Sequence, residues 1–473
     1  MSKSKWKLFT LFCLILSAML TMAGCEADDD DDDSDTLPAT NDTDSTPTDT
    51  GSGNTSTDPV STDSQVSMPL ANCDAVKKVC VVSGTIVENQ HWTAGYSYLL
   101  RGGVFVGDDI NETVLTIDAG VTVYGVVSTQ GMLVITRGSK IVAEGTAAAP
   151  IVFTSSNVPG TRARGDWGGL IINGRATVNG CDTPPCEASG EGGTGWYGGN
   201  NDLDSSGVLK YVRVEFAGRL ISEDNELNGI AFQGVGSGTT IDYVQVHMNA
   251  DDGIEFFGGT ANWKHIYLTG IGDDNLDWTD GWRGKGQFLV AKQYPDAGDQ
   301  GIEADNNAEN NTLTPISYPT LSNITLVGSG GDNSDIGMLL REGTKASIHN
   351  AIVAKFGEAC IDIDHDTVKH AAAGEVAISN SIFACTTIFL EEGDEFLAEG
   401  DTEPYLAATE VFAAGGGNTT AAASAVLSDV TSINAALTGG VVPADPFFDQ
   451  VSYIGGITAA DNWLEGWTTG AQN

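Results

Sequence analysis

Basic residues are scarce in this chain. Lys and Arg number 22 against 64 Asp and Glu, a formal charge of −42 over 473 residues. That balance excludes nucleic acid as a partner, since such binding rests on cations that neutralise phosphates. An anionic polymer would need bridging cations. Histidine is also rare, six in all, and none sits in a metal-ligand pattern; His365 and His370 read as surface residues. Serine nucleophile elbows, phosphate-cradling loops and dinucleotide fingerprints are absent as coherent motifs. The glycine-rich run from Gly190 to Gly199 follows Cys186 in a loop, not a strand-to-helix turn. Long 3.6-residue periodicity is missing outside about 405–437, where a helical insertion is expected. After the first 20 residues, no stretch approaches the ~20 apolar residues that a membrane-crossing helix needs.

The N-terminal region differs from the rest. Lys3, Lys5 and Lys7 precede a mostly apolar run from Leu8 to Leu20, the charge and length of an export signal over 1–24. Met22-Ala23-Gly24-Cys25 resembles a bacterial lipobox, with Met22 where Leu is commoner. The resemblance implies cleavage before Cys25, lipidation of that residue and anchoring to a membrane; the alternative is an ordinary signal that happens to contain a cysteine. From 25 to 69 the chain is rich in Asp, Thr, Ser, Asn, Gly and Pro. It has an unbroken aspartate run from Asp28 to Asp33 and no Lys or Arg before Lys77. So little apolar surface cannot offset the entropy of ordering, and a disordered, self-repelling tether is expected. Acidic residues after a lipidated cysteine also serve some surface lipoproteins as a sorting signal, and Glu26 with the aspartates fits that as well as a plain tether.

Residues 70–473 are enough for a large core. Six of the eight cysteines remain after Cys13 and Cys25 are set aside, an even number suited to an oxidising compartment. Proximity pairs Cys73 with Cys80, Cys181 with Cys186 and Cys360 with Cys385, among fifteen connectivities that six cysteines allow. Short Val-, Ile-, Leu- and Phe-rich segments dominate, with Gly, Asn or Asp close by. They repeat. Asn228-Gly229-Ile230-Ala231-Phe232, Asp252-Gly253-Ile254-Glu255-Phe256, Asp274-Asn275-Leu276-Asp277-Trp278 and Gln300-Gly301-Ile302-Glu303-Ala304 recur every 22 to 26 residues. Ile336 to Leu340 and Ala359 to Ile363 continue the series, with second strands between them. This period predicts an all-β parallel solenoid, each turn stacked about 4.8 Å from the next, with Asn and Gly at the corners. Leucine-rich repeats lack the match in consensus and propellers the match in period, while an antiparallel sandwich stays open.

Several runs also resemble a group of poorly characterised bacterial surface lipoproteins. They are Val134 to Ile141, Gly165 to Ile172, Tyr211 to Gly218, Asp251 to Thr260 and Asn462 to Trp467. The resemblance spans about Val81 to the C-terminus. It implies a right-handed parallel β-helix, like that of pectate lyases, carried on the cell envelope and most plausibly at the outer-membrane surface. It implies no established activity.

The solenoid register stacks Ala231, Glu255, Asp277, Glu303, Leu339 and Asp362 on one outward column. Asp251, Asp252, Asp273, Asp274 and Asp299 lie just before the same strands. Neighbouring carboxylates about 5 Å apart repel by roughly 3 kcal/mol at an effective dielectric near 20. They need a cation, raised pKa values or full solvation. Oxygen-only ligands favour Ca²⁺, and the candidate ligands are Asp251, Asp252, Glu255, Asp273, Asp274 and Asp277. The alternative is a set of turn-capping aspartates on a solvated surface. Asp362-Ile363-Asp364-His365-Asp366 alternates like a calcium loop but lacks the usual glycine and distal glutamate; Asp305 to Asn311 reads as a loop. Trp278 and Trp282, beside the acidic column, are the candidate sugar-stacking residues, whereas Trp463 and Trp467 are expected to close the C-terminal end. Function divides two ways. One is a non-catalytic surface protein presenting a calcium-binding face to a glycan, the matrix or a cell-surface protein. The other is a polysaccharide lyase or polygalacturonase-like hydrolase. Its catalytic residues would be Asp252, Asp274 and Asp277 with Arg283 and Lys285, or Arg341 as a lyase base. The Gly-His-Gly of polygalacturonases is absent, and the order and spacing of the other groups differ.

Overall fold

The computed structural model describes residues 72–181, 185–222, 225–391, 404–432 and 437–470. The expected export signal, Cys25 and the whole acidic tether lie outside them. From Val79 onward the chain winds into a right-handed parallel β-helix. Each central turn carries one short and one long strand. The short strands are Leu170–Asn173, Ile230–Gln233, Ile254–Phe257, Leu276–Thr279, Ile302–Ala304, Ile336–Leu340 and Ala359–Ile363. They pair in parallel, each with the next turn. The long strands, among them Thr240–His247, Asn262–Thr269, Lys285–Lys292 and Thr320–Val327, form a second parallel ladder. Antiparallel pairing is confined to small hairpins at the start and on the surface, so the sandwich alternative fails.

Alternation along each strand explains the core. In Leu276–Thr279, Leu276 and Trp278 are buried and Asp277 faces out. Phe232, Phe256 and Trp282 stack along the interior at 5.0 and 4.4 Å between ring centroids. The three disulfides are those that proximity suggests, with Cα separations of 3.9, 5.4 and 5.5 Å for Cys73–Cys80, Cys181–Cys186 and Cys360–Cys385. The last one links neighbouring turns.

Three expectations need correction. Corner residues were expected to be Asn and Gly. Gly234, Gly258, Gly259 and Gly270 are at positive φ as expected, but in the long strands the bend falls at one stacked position that aromatic residues share with Asn, occupied by Tyr211, Tyr243, His265, Phe288, Asn323 and Asn350, all at positive φ between 49° and 66°. Left-handed backbone costs an L-residue about 1–2 kcal/mol. Here the first four rings stack at 4.4, 4.2 and 4.8 Å, and each such contact returns about 0.5–1.5 kcal/mol. Second, Trp463 and Trp467 do not close the end of the helix. The segment 437–470 runs back along the outside and covers this aromatic column, with Trp467 edge-on to Tyr211 and Tyr243. Asn350, Asn323 and Gln245 donate side-chain hydrogen bonds to the carbonyls of Val441, Tyr453 and Thr469 at 3.2, 2.9 and 2.7 Å. Third, the expected helical insertion shrinks to Ala408–Ala414 and Ala423–Val426, because Gly415, Gly416 and Gly417 interrupt the pattern.

Candidate functional site

The parallel ladder places the acidic residues. Register pairs Ala231 with Glu255, Glu255 with Asp277, Asp277 with Glu303, Glu303 with Leu339 and Leu339 with Asp362. This is the column read from the repeat. Towards the N-terminus it continues as Ile171, Val134 and Phe105, so an apolar outer stripe turns acidic at Glu255. The turns before the strands bring up Asp251 and Asp252, Asp273 and Asp274, and Asp299. Oxygens from four trios approach within 4.8 Å of one another: Asp251, Asp252 and Asp273; Asp252, Glu255 and Asp277; Asp273, Asp274 and Asp299; and Asp274, Asp277 and Glu303. All six residues proposed as metal ligands therefore fall within these overlapping trios.

Turn capping accounts for part of this arrangement. The Asp252 Oδ1 accepts the backbone N–H of Asp274 at 3.1 Å, and the Asp274 Oδ1 accepts that of Gln300 at 2.5 Å. Solvation does not account for the rest. Asp252, Glu255 and Asp274 are 7, 9 and 5% exposed. Burial, and after it the neighbouring carboxylates, pushes Asp252, Asp274 and Asp277 far above the usual carboxylate range. The same causes push Asp251 up to about 8 and Asp299 up to about 7. The Asp277 Oδ1 is buried without a hydrogen-bond partner.

Some groups join that the repeat did not mark. Asn228 precedes its strand where Asp252 and Asp274 precede theirs, and its Nδ2 donates to Glu255 Oε2 at 2.6 Å. Asp305, expected to be a loop residue, forms an ion pair with Arg341 at 3.1 Å, and Arg341 also pairs with Glu303. Glu191, on a loop that follows the Cys181–Cys186 bridge, adds its charge to Glu255 and Asp251. Burial and Glu226 raise Glu191 itself to about 7. A loop residue distant in sequence and outside the repeat gives no local signal of such a role.

Other predicted groups stay apart. Arg283 pairs with Asp202 at 3.4 Å and Lys285 with Asp445 at 2.5 Å, so neither reaches the column as a catalytic base. Trp278 and Trp282 are fully buried. Their indole N–H groups donate to Thr344 Oγ1 at 3.0 Å and the Ala261 carbonyl at 3.2 Å. Trp278 shares the inward parity of Leu276, and Trp282, in the turn after that strand, stacks on the core ring of Phe256, so both are core residues and offer no sugar platform. Trp196, at 52% exposed, is the exposed tryptophan among the described residues.

Family comparison agrees with this geometry. The model of the pectate-lyase-like beta helix domain matches residues 84–468. The chain belongs to that family. No curated protein matches the sequence. Among solved structures, the β-helix is similar to the enzymatically active domain of tailspike protein 2 from bacteriophage CBA120. The identity is 12% and the TM-score 0.33, over 62% of this chain and 42% of that one.

What can the column of this β-helix do chemically? A glycosidase sets two carboxyl groups about 5 to 9.5 Å apart, with the sugar between them. Here the acid oxygens of each trio lie within 4.8 Å of one another, while Glu255 and Glu303 stand two turns apart, at about 9.6 Å, so close and wide carboxyl spacings both occur on this face. A lyase base must lose a proton, but the carboxylates of Glu303 and Asp305 hold the Arg341 proton more tightly than usual. The oxygens within a trio could also hold a cation of about the size of Ca²⁺. Its ligands lie 2.3–2.6 Å away, so oxygens on opposite sides of one ion are roughly 5 Å apart.

Proposed function

We propose that this β-helix is a non-catalytic surface protein whose acidic column binds Ca²⁺ and presents the loaded face to a glycan, matrix component or cell-surface protein. The observation that carries this is the set of four overlapping carboxylate trios on consecutive turns, with Asp252, Glu255 and Asp274 buried and Arg341 paired with Glu303 and Asp305 at one end. Ionised and bare, such a column repels itself; bound Ca²⁺ removes the repulsion and stiffens the turns that carry it. In this proposal Cys25 carries the lipid that fixes the chain to the cell envelope, and the acidic stretch to residue 69 holds the β-helix away from the membrane. The site's own oxygens would leave outward coordination positions for hydroxyls or carboxylates of a partner. That gives an acidic protein a way to hold an anionic glycan.

The test pairs two measurements on the full chain. Isothermal titration with Ca²⁺ should show saturable binding that chelator abolishes and that Asp277→Asn weakens at least tenfold. A panel of polysaccharides, assayed for reducing ends and unsaturated uronates with and without Ca²⁺, should release no product. Product formation abolished by both Asp252→Ala and Asp277→Ala would establish the lyase or hydrolase alternative. Absence of Ca²⁺ binding up to about 10 mM, beyond the range of extracellular calcium modules, would reject the calcium face.

A further inference from the structure

The long strands carry a row of buried amides on the face that the C-terminal segment covers. Gln245, Gln287, Asn323 and Asn350 are all fully buried. Three of them grip one residue of the segment at both ends. The Gln245 Nε2 donates to the Thr469 carbonyl at 2.7 Å, and its Oε1 accepts the Thr469 N–H at 2.9 Å. Gln287 does the same with Asp449, at 2.9 and 2.8 Å, and Asn350 with Val441, at 3.2 and 2.9 Å. Each amide takes the part of a peptide group in a neighbouring strand, because it offers one donor end and one acceptor end. Asn323 adds its bond to the Tyr453 carbonyl, and Thr325 Oγ1 accepts the Gly456 N–H at 2.9 Å. These contacts hold the backbone of the segment, whatever its side chains. A buried amide whose partner leaves is left unmatched, at a cost in free energy, so this face is stable only when covered.

The strands held in this way are consecutive. Arg213, on Gly207–Glu215, donates to the Trp467 carbonyl at 3.0 Å, and Lys264, on Asn262–Thr269, pairs with Asp449 at 2.6 Å. The amides lie on Thr240–His247, Lys285–Lys292, Thr320–Val327 and Ala346–Ala354. One segment therefore grips six long strands in unbroken register, over about 24 Å at about 4.8 Å per turn. In a solenoid each turn otherwise contacts only its neighbours, and long arrays lose cooperativity. The acidic strands lie among the gripped ones. Glu255 follows Thr240–His247, Asp277 follows Asn262–Thr269 and Glu303 follows Lys285–Lys292.

We infer that the segment 437–470 is a latch: clasped through its backbone by the row of amides, it makes six turns, the acidic strands among them, open and close as one unit. The inference goes beyond the proposed function and stands whether or not the column binds Ca²⁺.

Native-state hydrogen exchange of the full chain tests it, in chelator and at rising urea below the unfolding transition. Two sets of N–H groups are compared. One is Val441, Asp449 and Thr469 in the latch. The other is Ile254–Phe257, Leu276–Thr279 and Ile302–Ala304, on the other ladder. Both sets should exchange through the same opening, with one dependence on urea. Gln287→Leu keeps the volume of the side chain and removes one clasp, and it should speed exchange at least tenfold in both sets alike. Latch groups that exchange at lower urea than the short strands would overturn the inference, and so would an acceleration confined to the latch. Either result would make the segment a cover that peels away alone. Should the variant not fold, the comparison within the parent chain decides by itself. Neither result bears on calcium binding, which the titration above tests separately.

Discussion

Removing calcium should destabilise the turns from Ala231 to Leu340 at neutral and alkaline pH and have little effect in mild acid. Glu255, Asp277 and Glu303 lie on consecutive turns, about 4.8 Å apart. Each neighbouring pair, if ionised, costs roughly 3 kcal/mol at an effective dielectric near 20. Without a cation the folded chain reduces this by keeping protons, and Asp251 and Asp299 accordingly titrate near 8 and 7. These folded values exceed the unfolded value of about 4. The associated stability is therefore complete below about pH 4 and is lost as the pH climbs through 7 to 8, at about 1.4 kcal/mol per pH unit for each group that still holds its proton. Calcium replaces the protons. At about 10 mM Ca²⁺, and with dissociation constants of about 0.1–1 mM, each ion adds about 1.4–2.7 kcal/mol. A folded unit of about 400 residues has an unfolding entropy near 0.8 kcal/mol/K, so each ion raises the midpoint by roughly 2–3 °C. The assay is thermal melting followed by tryptophan fluorescence, in Ca²⁺ and in chelator, at about pH 5 and pH 8, with Mg²⁺ as the ionic-strength control. Trp278 lies on the strand that carries Asp277 and is fully buried, so the signal reports on the relevant turns even if distant turns melt separately. Equal midpoints in Ca²⁺ and chelator at pH 8 would refute the reasoning. So would a difference that grows towards pH 5.

Two further predictions concern the aromatic residues. Trp278→Ala and Trp282→Ala should each cost about 3–5 kcal/mol by opening a core cavity, read as a lower denaturation midpoint; unchanged stability with lost glycan binding would return them to the ligand face. Trp467→Ala removes an edge contact to Tyr211 and Tyr243 and an indole donor to the Trp463 carbonyl at 2.7 Å. It should cost about 3 kcal/mol or more and speed amide exchange in the strands around Tyr243 and His265, and exchange unchanged there would show that the C-terminal segment contributes no support to the helix.

The fold and the core of the site were legible because a parallel solenoid converts spacing along the chain into adjacency in space. Residues Glu255, Asp277 and Glu303 are 22 and 26 apart in sequence, yet they are register partners, and no long-range inference beyond the repeat was needed. Alternation within a strand should have settled Trp278 too. It lies one residue beyond Asp277, so it must face inward, and proximity in sequence to the acids misled where parity would have served. Arg283 and Lys285 failed for a related reason. They fall after the bend at Asp280 and Gly281, both at positive φ, which directs the chain away from the column. Asp305 directly follows the strand Ile302–Ala304 with the parity of Glu303, so the same alternation would have found it. Glu191 and the path of the C-terminal segment were not legible, because they depend on loops and tails outside the repeat, whose contacts are set by surfaces that exist only once the helix is formed.

The extent of the column also limits what it can hold. Ala231 precedes it and Leu339 follows it, so three turns carry the outward acids. Three levels spaced about 4.8 Å apart enclose two intervals. One lies between the levels of Glu255 and Asp277 and the other between those of Asp277 and Glu303. In the proposed calcium face, a cation between two levels would take oxygens from the strands on either side and from the aspartates of the turns leading into them. Arg341, bound to Glu303 and Asp305, occupies the far end of the column. A positive side chain there neutralises the last acids without metal and is always charged, whereas the end beside Ala231 is finished by the neutral Asn228. The sequence thus ends its run of carboxylates differently on the two sides, with a fixed cation at one and an uncharged amide at the other, and this asymmetry confines the proposed calcium face to the three turns between them.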